Sequence, residues 1–227
     1  MQKRDGHEVQ VSQGIHEAGY RRFRRAMQDG ALKPGMIVTQ NKLCGILGLS
    51  LTPLRETLVL LEEFGLVEVK SRAGIRIVYP EIKFISENYQ FRSVIELHAI
   101  RVFAPVVRRE WLRHIREKHE RIHHELGHGD MHAETEQAFT DLDSELHETF
   151  VRSLENQAIT AVYERIMDNI SLARQVHDRT AARKRIIDST LEHLAIIESL
   201  EKGDADGAAT NLELHFKAAT YRTIVAA

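Results

Sequence analysis

Asp143 and His147 stand four residues apart in a strongly helical stretch, so both side chains leave the same helix face. That face also carries Phe139, Leu146, Phe150 and Leu154, which points two polar groups toward an apolar interior. His193 lies in a second apolar series, Ile186, Thr190, His193, Ile197 and Leu200, and His215 falls among Leu212, Ala218 and Ala219. One carboxylate and three imidazoles on three helices suit a divalent ion such as Zn, Ni, Fe or Mn. Buried polar groups without partners are costly, and one shared cation would account for all four together. Taken singly, each histidine also fits a hydrogen-bonded core residue, and an Asp-x-x-x-His pair arises readily in a chain with 13 histidines. Spacing alone leaves both readings open. An ion with a free coordination position could activate water, so a metal-dependent hydrolase is the rival class. No further general base is identifiable beside the four residues, which weighs against it.

Two other groups invite chemistry and are better read as structure. His114, His119, His123, His124, His128 and His132 are interleaved with Arg, Lys and Glu, as expected of a solvated helix face. Cys44, the single cysteine, sits in the apolar run Leu43 to Leu47 and reads as a buried small hydrophobe. One cysteine also excludes an internal disulfide framework and fits a reducing, cytoplasmic setting.

The elements that must position these residues are mostly helices. Apolar residues recur at three- and four-residue steps through 86–126, 132–155, 157–176, 181–202 and 205–225, with Pro105 expected to interrupt the first near Ala104. Strand-like alternation appears in Leu66–Lys70 and Ile75–Tyr79, joined by Ser71-Arg72-Ala73-Gly74, which reads as a hairpin. Three helical segments precede it: about Ile15 to Gln28, one from Thr39 to Gly48, and one opening at Ser50 or Thr52 with Pro53 in its first turn. The short break Leu47-Gly48-Leu49 is the turn of a helix-turn-helix, and the hairpin is its wing. The expected architecture is therefore mostly α: a flexible N-terminus over 1–14, a winged helix-turn-helix with a small β-hairpin wing over 15–80, a linker over 81–85, and an all-α helical bundle over 86–227.

Such a module binds DNA by laying the N-terminal end of its second helix in the major groove. The outward ridge there is Leu51, Thr52, Arg55 and Val59; Arg55 has the chemistry to read a guanine edge, unless it merely pairs with Glu56 or Glu62. Arg72 in the wing turn could meet a minor groove or phosphate, and Arg21, Arg22, Arg24, Arg25 and Lys42 could contact the backbone. The net charge of −2 conceals an asymmetry that fits this division. Residues 1–80 hold 12 Lys and Arg against 8 Asp and Glu, whereas the remainder holds 19 against 25. Hydrophobic residues make up 43% of the chain, so disorder is not expected, and no apolar run approaches membrane-spanning length.

Several spaced elements of the first third resemble the GntR family of bacterial repressors. They are Gly30-Ala-Leu-Lys-Pro34-Gly35, Ser50-Leu-Thr52-Pro53-Leu-Arg55-Glu56, Leu61-Glu62, Gly65-Leu66-Val67 and Gly74-Ile-Arg-Ile. The resemblance implies that Thr52 and Arg55, with the wing tip from Arg72 to Gly74, read operator DNA. Leu51 stands where the family's segment carries an arginine; a leucine there could touch a thymine methyl instead. Residues 86 to 222 resemble the FadR-type ligand-binding domain called FCD, through Arg92-Ser-Val-Ile-Glu96, Asp143-Ser-Glu-Leu-His147, Asn156, Glu192-His193 and His215. That resemblance implies a divalent metal on Asp143, His147, His193 and His215, a small carboxylate effector beside it, and Arg92 as a partner for the effector; an Arg92–Glu96 helix pair is the simpler alternative. The expected protein is a homodimeric transcription regulator, in the repressor mould, that binds double-stranded operator DNA and is not an enzyme. Its small organic acid effector would alter the spacing of the two winged helices. The remaining alternative is a purely structural metal with no effector.

Overall fold

The computed structural model describes residues 18–27, 29–70, 73–78, 81–128, 131–174 and 179–225. The chain divides into two compact units, Met1–Phe84 and Ile85–Ala227.

The first unit begins with helix α1 over 18–27, followed by strand β1 (Ile37–Val38) and helices α2 (Gln40–Leu47) and α3 (Leu51–Glu63). Thr39 caps α2, its hydroxyl accepting from the Lys42 amide at 3.2 Å, and Gly48 ends it in the left-handed conformation. Arg22 closes the same end, donating to the carbonyls of Leu47 and Gly48 at 3.1 and 2.6 Å. Part of the arginine run is thus committed to holding the helix-turn-helix corner. Helices α1 and α3 approach closely at Gly19, where an added Cβ would meet Thr57 Oγ1 at 1.9 Å. Strands β2 (Val67–Lys70) and β3 (Gly74–Ile77) pair antiparallel as the expected wing. β1 adds a third strand on the other side of β3, pairing Ile37 with Arg76 and Val38 with Ile75. Leu43, Leu54, Leu61, Leu66, Ile75 and Ile77 form the sealed core of this unit. Each such side chain contributes about 1.5–3 kcal/mol by leaving water.

The second unit is all helical: α4 (Ile82–Phe103), a 3-10 turn (Ala104–Val106), α5 (Arg109–His128), α6 (Ala133–Arg152), α7 (Gln157–Arg174), α8 (Arg179–Glu201) and α9 (Ala205–Val225). The 3-10 turn falls at Pro105, which cannot donate the hydrogen bond that continuing the helix requires. The stretch 81–85, read from sequence as a linker, is helical from Ile82 onward. Asn156 Oδ1 accepts from the amides of Ala158 and Ile159 at 3.0 and 3.1 Å, starting α7. Asp204 Oδ1 does the same for Gly207 at the start of α9. The main core gathers Ile115, Leu146, Phe150, Ile196, Ile197 and Leu212, with Phe103, Trp111 and Phe150 packed ring against ring. Among the described residues no single helix is long and apolar enough to cross a membrane.

Candidate metal centre and nucleic-acid face

Four polar side chains lie inside the bundle core. Asp143 and His147 come from one face of α6, His193 from α8 and His215 from α9. All four are buried, and one ligand atom from each falls within 4.8 Å of the others. Asp143 Oδ1 is 3.7 Å from His147 Nε2 and 3.5 Å from His193 Nε2, and the two Nε2 atoms are 3.3 Å apart.

A surrounding set of residues holds these groups. Glu96 on α4 accepts from His147 Nδ1 at 2.6 Å, from Arg92 Nε at 2.6 Å and from the Tyr163 hydroxyl at 2.9 Å. Burial opposes the charge on Glu96, but Arg92 and His147 hold its carboxyl down to about 2. Glu192 on α8 accepts from His215 Nδ1 at 2.8 Å and is itself gripped by Arg222 at 2.7 Å through both terminal nitrogens. Its carboxyl is also held down to about 2, because the bonds from Arg222 and His215 outweigh its burial. An ionised carboxylate can only accept, so His147 and His215 must carry their protons on Nδ1. Their Nε2 atoms face inward, and that of His215 is buried with no hydrogen-bond partner among the described residues. Burial lowers His215 to about 4, and burial with the neighbouring His215 holds His193 well below the usual imidazole range, which keeps both rings neutral. Asp143 stays ionised against its burial, chiefly through Arg174, whose guanidinium lies 3.4 Å from Oδ2. The centre thus brings together three imidazoles and one carboxylate, all groups able to act as electron-pair donors. That donor set fits a borderline divalent ion such as zinc.

Arg92 is fully buried. Its Nε is engaged by Glu96, and its carbon end lies 4.8 Å from the centre of the Phe216 ring. Both terminal nitrogens are buried without a hydrogen-bond partner among the described residues. The helix pair expected as the simpler alternative is present, yet it uses only one of the three guanidinium nitrogens.

One participant escaped the sequence reading. His119, grouped there with solvated histidines, is completely buried, and its Nε2 lies 3.1 Å from His193 Nδ1. Its own Nδ1 lies 2.7 Å from the Ile115 carbonyl oxygen. The signal was available in the spacing of Leu112, Ile115, His119, Ile122 and Leu126, which marks the inward stripe of α5. His114, His124 and His128 on α5 are exposed, as is His132 ahead of α6, and His123 is half-buried.

In the first unit, Leu51, Thr52, Arg55 and Val59 are exposed along α3. Arg55 makes no hydrogen bond or ion pair with a described residue; Glu62 instead accepts from the Val69 amide at 3.1 Å. Lys42 is exposed on α2. Arg72 lies outside the described residues. Gly74, taken from sequence as part of the wing tip, is half-buried at the start of β3 with φ +100°, and an added Cβ would meet the Val38 carbonyl oxygen at 2.8 Å. Its place is a close approach of two strands. Cys44 is half-buried, not sealed in the core.

The FCD-domain family matches residues 87–218, and the gntR family of bacterial regulatory proteins matches residues 17–77. The chain is a DNA-binding transcription regulator of the GntR family with an FCD domain. Among its relatives is the HTH-type transcriptional regulator YdhC of Bacillus subtilis (strain 168), 25% identical over 197 residues that cover 87% of this chain and 85% of that one. The fold is shared with a GntR transcriptional regulator from Rhodococcus sp. RHA1, with a TM-score of 0.66 and 19% identity over 98% of this chain and 99% of the other. The Zn2+-bound FCD domain of TM0439 is 28% identical, with a TM-score of 0.52, over 64% of this chain and 94% of that domain. Asp143, His147, His193 and His215 all lie within the residues that match the FCD domain.

Proposed function

We propose that this GntR-family regulator is a homodimeric repressor whose operator binding is controlled by a small organic acid, bound beside a divalent metal in the FCD domain. Asp143, His147, His193 and His215 would hold the ion. The observation that carries this is the convergence of ligand atoms: Nε2 of His147 and His193 lie 3.7 and 3.5 Å from Asp143 Oδ1 in a buried core, and the buried Nε2 of His215 has no hydrogen-bond partner among the described residues. Such an arrangement is unfavourable until a cation occupies it. The Zn2+-bound FCD domain of TM0439 supports the same assignment.

The ion would supply a Lewis-acidic anchor for one oxygen of the acid. This chain's own contribution is Arg92, whose two terminal nitrogens, unpartnered among the described residues, offer a forked pair of donors suited to a carboxylate. Buried donors without acceptors cost about 1–3 kcal/mol each, so an anionic ligand is favoured there. Arg55, Thr52 and Leu51 would contact base edges, Leu51 meeting a thymine methyl, while Lys42 and the Arg72 wing turn would contact backbone. A single recognition helix makes too few base contacts for useful specificity, which favours a dimer on a palindromic site. Effector binding must prefer one spacing of the two winged helices over another to have any effect.

The test is a gel shift of the full-length protein on the duplex upstream of its own gene, against random competitor, with a panel of small carboxylic acids. Metal content is measured on the same preparation. Specific binding that one acid weakens is expected. No preference for that duplex under any condition would refute the regulatory reading.

A further inference from the structure

We propose that His119 is a positioning residue for the metal centre: by accepting a hydrogen bond from Nδ1 of His193 it keeps the inward Nε2 of that ring free of a proton. This rests on the metal reading above and adds a residue that its four ligands leave out.

The argument is one of donors and acceptors. The Ile115 carbonyl oxygen can only accept, and it lies 2.7 Å from His119 Nδ1. A neutral His119 must therefore carry its proton on Nδ1, which leaves Nε2 a lone pair. That lone pair lies 3.1 Å from His193 Nδ1, so His193 in turn must place its proton on Nδ1. Its Nε2 then joins that of His215 as a bare acceptor facing the centre. A backbone carbonyl on α5 thus fixes, through two rings, which nitrogen of α8 faces the centre.

Without His119 the preference reverses. A proton on His193 Nε2 would have Asp143 Oδ1 at 3.5 Å and His147 Nε2 at 3.3 Å as ready acceptors. Such a tautomer satisfies the cluster internally and removes a ligand. His147 and His215 have carboxylates for the same purpose. His193 alone among the three relies on a neutral ring. Partners of this kind orient metal-binding imidazoles, and their loss commonly costs 10–100-fold in affinity.

The experiment compares His119→Gln and His119→Leu in the full-length protein. The glutamine amide can donate to Ile115 and accept from His193, whereas leucine can do neither. Zinc affinity is read by competition with a chromogenic chelator, and the tautomer of His193 by long-range proton–nitrogen correlation in metal-free protein. We expect Nδ1–H in the wild type and in His119→Gln, with zinc affinity close to wild type. His119→Leu is expected to shift toward Nε2–H and to lose about 10–100-fold in affinity. Unchanged tautomer and affinity in His119→Leu would overturn the proposal, as would equal losses in both variants. Should His119→Leu fail to fold, the wild-type spectrum decides: Nε2–H on His193 overturns it and Nδ1–H supports it. A wild type that takes up no zinc defeats the metal reading, while the ring-nitrogen spectrum still reports the His119–His193 link by itself.

Discussion

Glu96 on α4 and His147 on α6, separated by 51 positions in the chain, share a 2.6 Å hydrogen bond in the bundle core. The two oxygens of Glu96 receive three donors, from Arg92, His147 and Tyr163. Glu96→Gln puts an amide NH2 where an acceptor is needed and sets donor against donor. Zinc affinity is expected to fall about 10–100-fold. Chelator competition reads it, and a variant that binds zinc as the wild type does would show that Glu96 does not orient the ligand.

Replacing His147 and His193 together with alanine removes two of the four donors. Elemental analysis of the purified double variant should find the metal gone. The wild type should lose thermal stability when treated with a chelator, and the double variant should be indifferent to it. At free metal a hundredfold above Kd, binding is worth about 2.7 kcal/mol. For a chain of this size that corresponds to roughly 5–10 °C in Tm. Equal metal stoichiometry in wild type and double variant would remove the assignment.

Arg92→Lys preserves a buried positive charge but exchanges the guanidinium fork for a single ammonium. Affinity for the acid that releases the wild type from DNA is expected to drop at least about tenfold, the loss of one charge-assisted hydrogen bond. Metal content should hold. Isothermal titration with the metal-loaded protein tests both; unaltered affinity would place the effector elsewhere.

Arg55→Ala should cost about 1–3 kcal/mol of discrimination between the operator and unrelated DNA. Fluorescence anisotropy against both duplexes measures the ratio. Dimer mass and metal content are expected to stay as in the wild type, since Arg55 belongs to the first unit and is free of other partners among the described residues. Retention of full specificity would discard the base-reading role.

Gly74→Ala addresses the wing. The positive φ and the Val38 carbonyl oxygen 2.8 Å from the added methyl both oppose any side chain. A destabilisation above about 1 kcal/mol is expected in chemical unfolding followed in the winged unit. Binding to operator and random DNA should weaken together. A selective loss of operator binding with unchanged stability would instead make Gly74 a direct contact.

Much of this architecture can be read from residue order because its signals are local. Thr39 and Gly48 bracket α2 as cap residues do, and Pro105 interrupts the helix where its ring forbids continuation. Asp143 and His147 are neighbours on one helix, so their shared face follows from spacing alone. β1 was missed because two residues cannot display a period, and its partner β3 lies almost forty positions downstream. His119 was missed for a different reason. Its neighbours in sequence are charged, and residue type outweighed the helical phase that sets it apart. The roles of Glu96 and Glu192 depend on which helices pack together, and no spacing within one helix carries that information.

A core that turns its unshared electron pairs upon one another is uneasy when empty. On the proposed metal reading, the folded chain would have an appetite for cations written into its own durability. Copies made while the ion is scarce would open more readily and meet proteases sooner, so the amount of regulator in a cell would track metal supply even before any acid is bound.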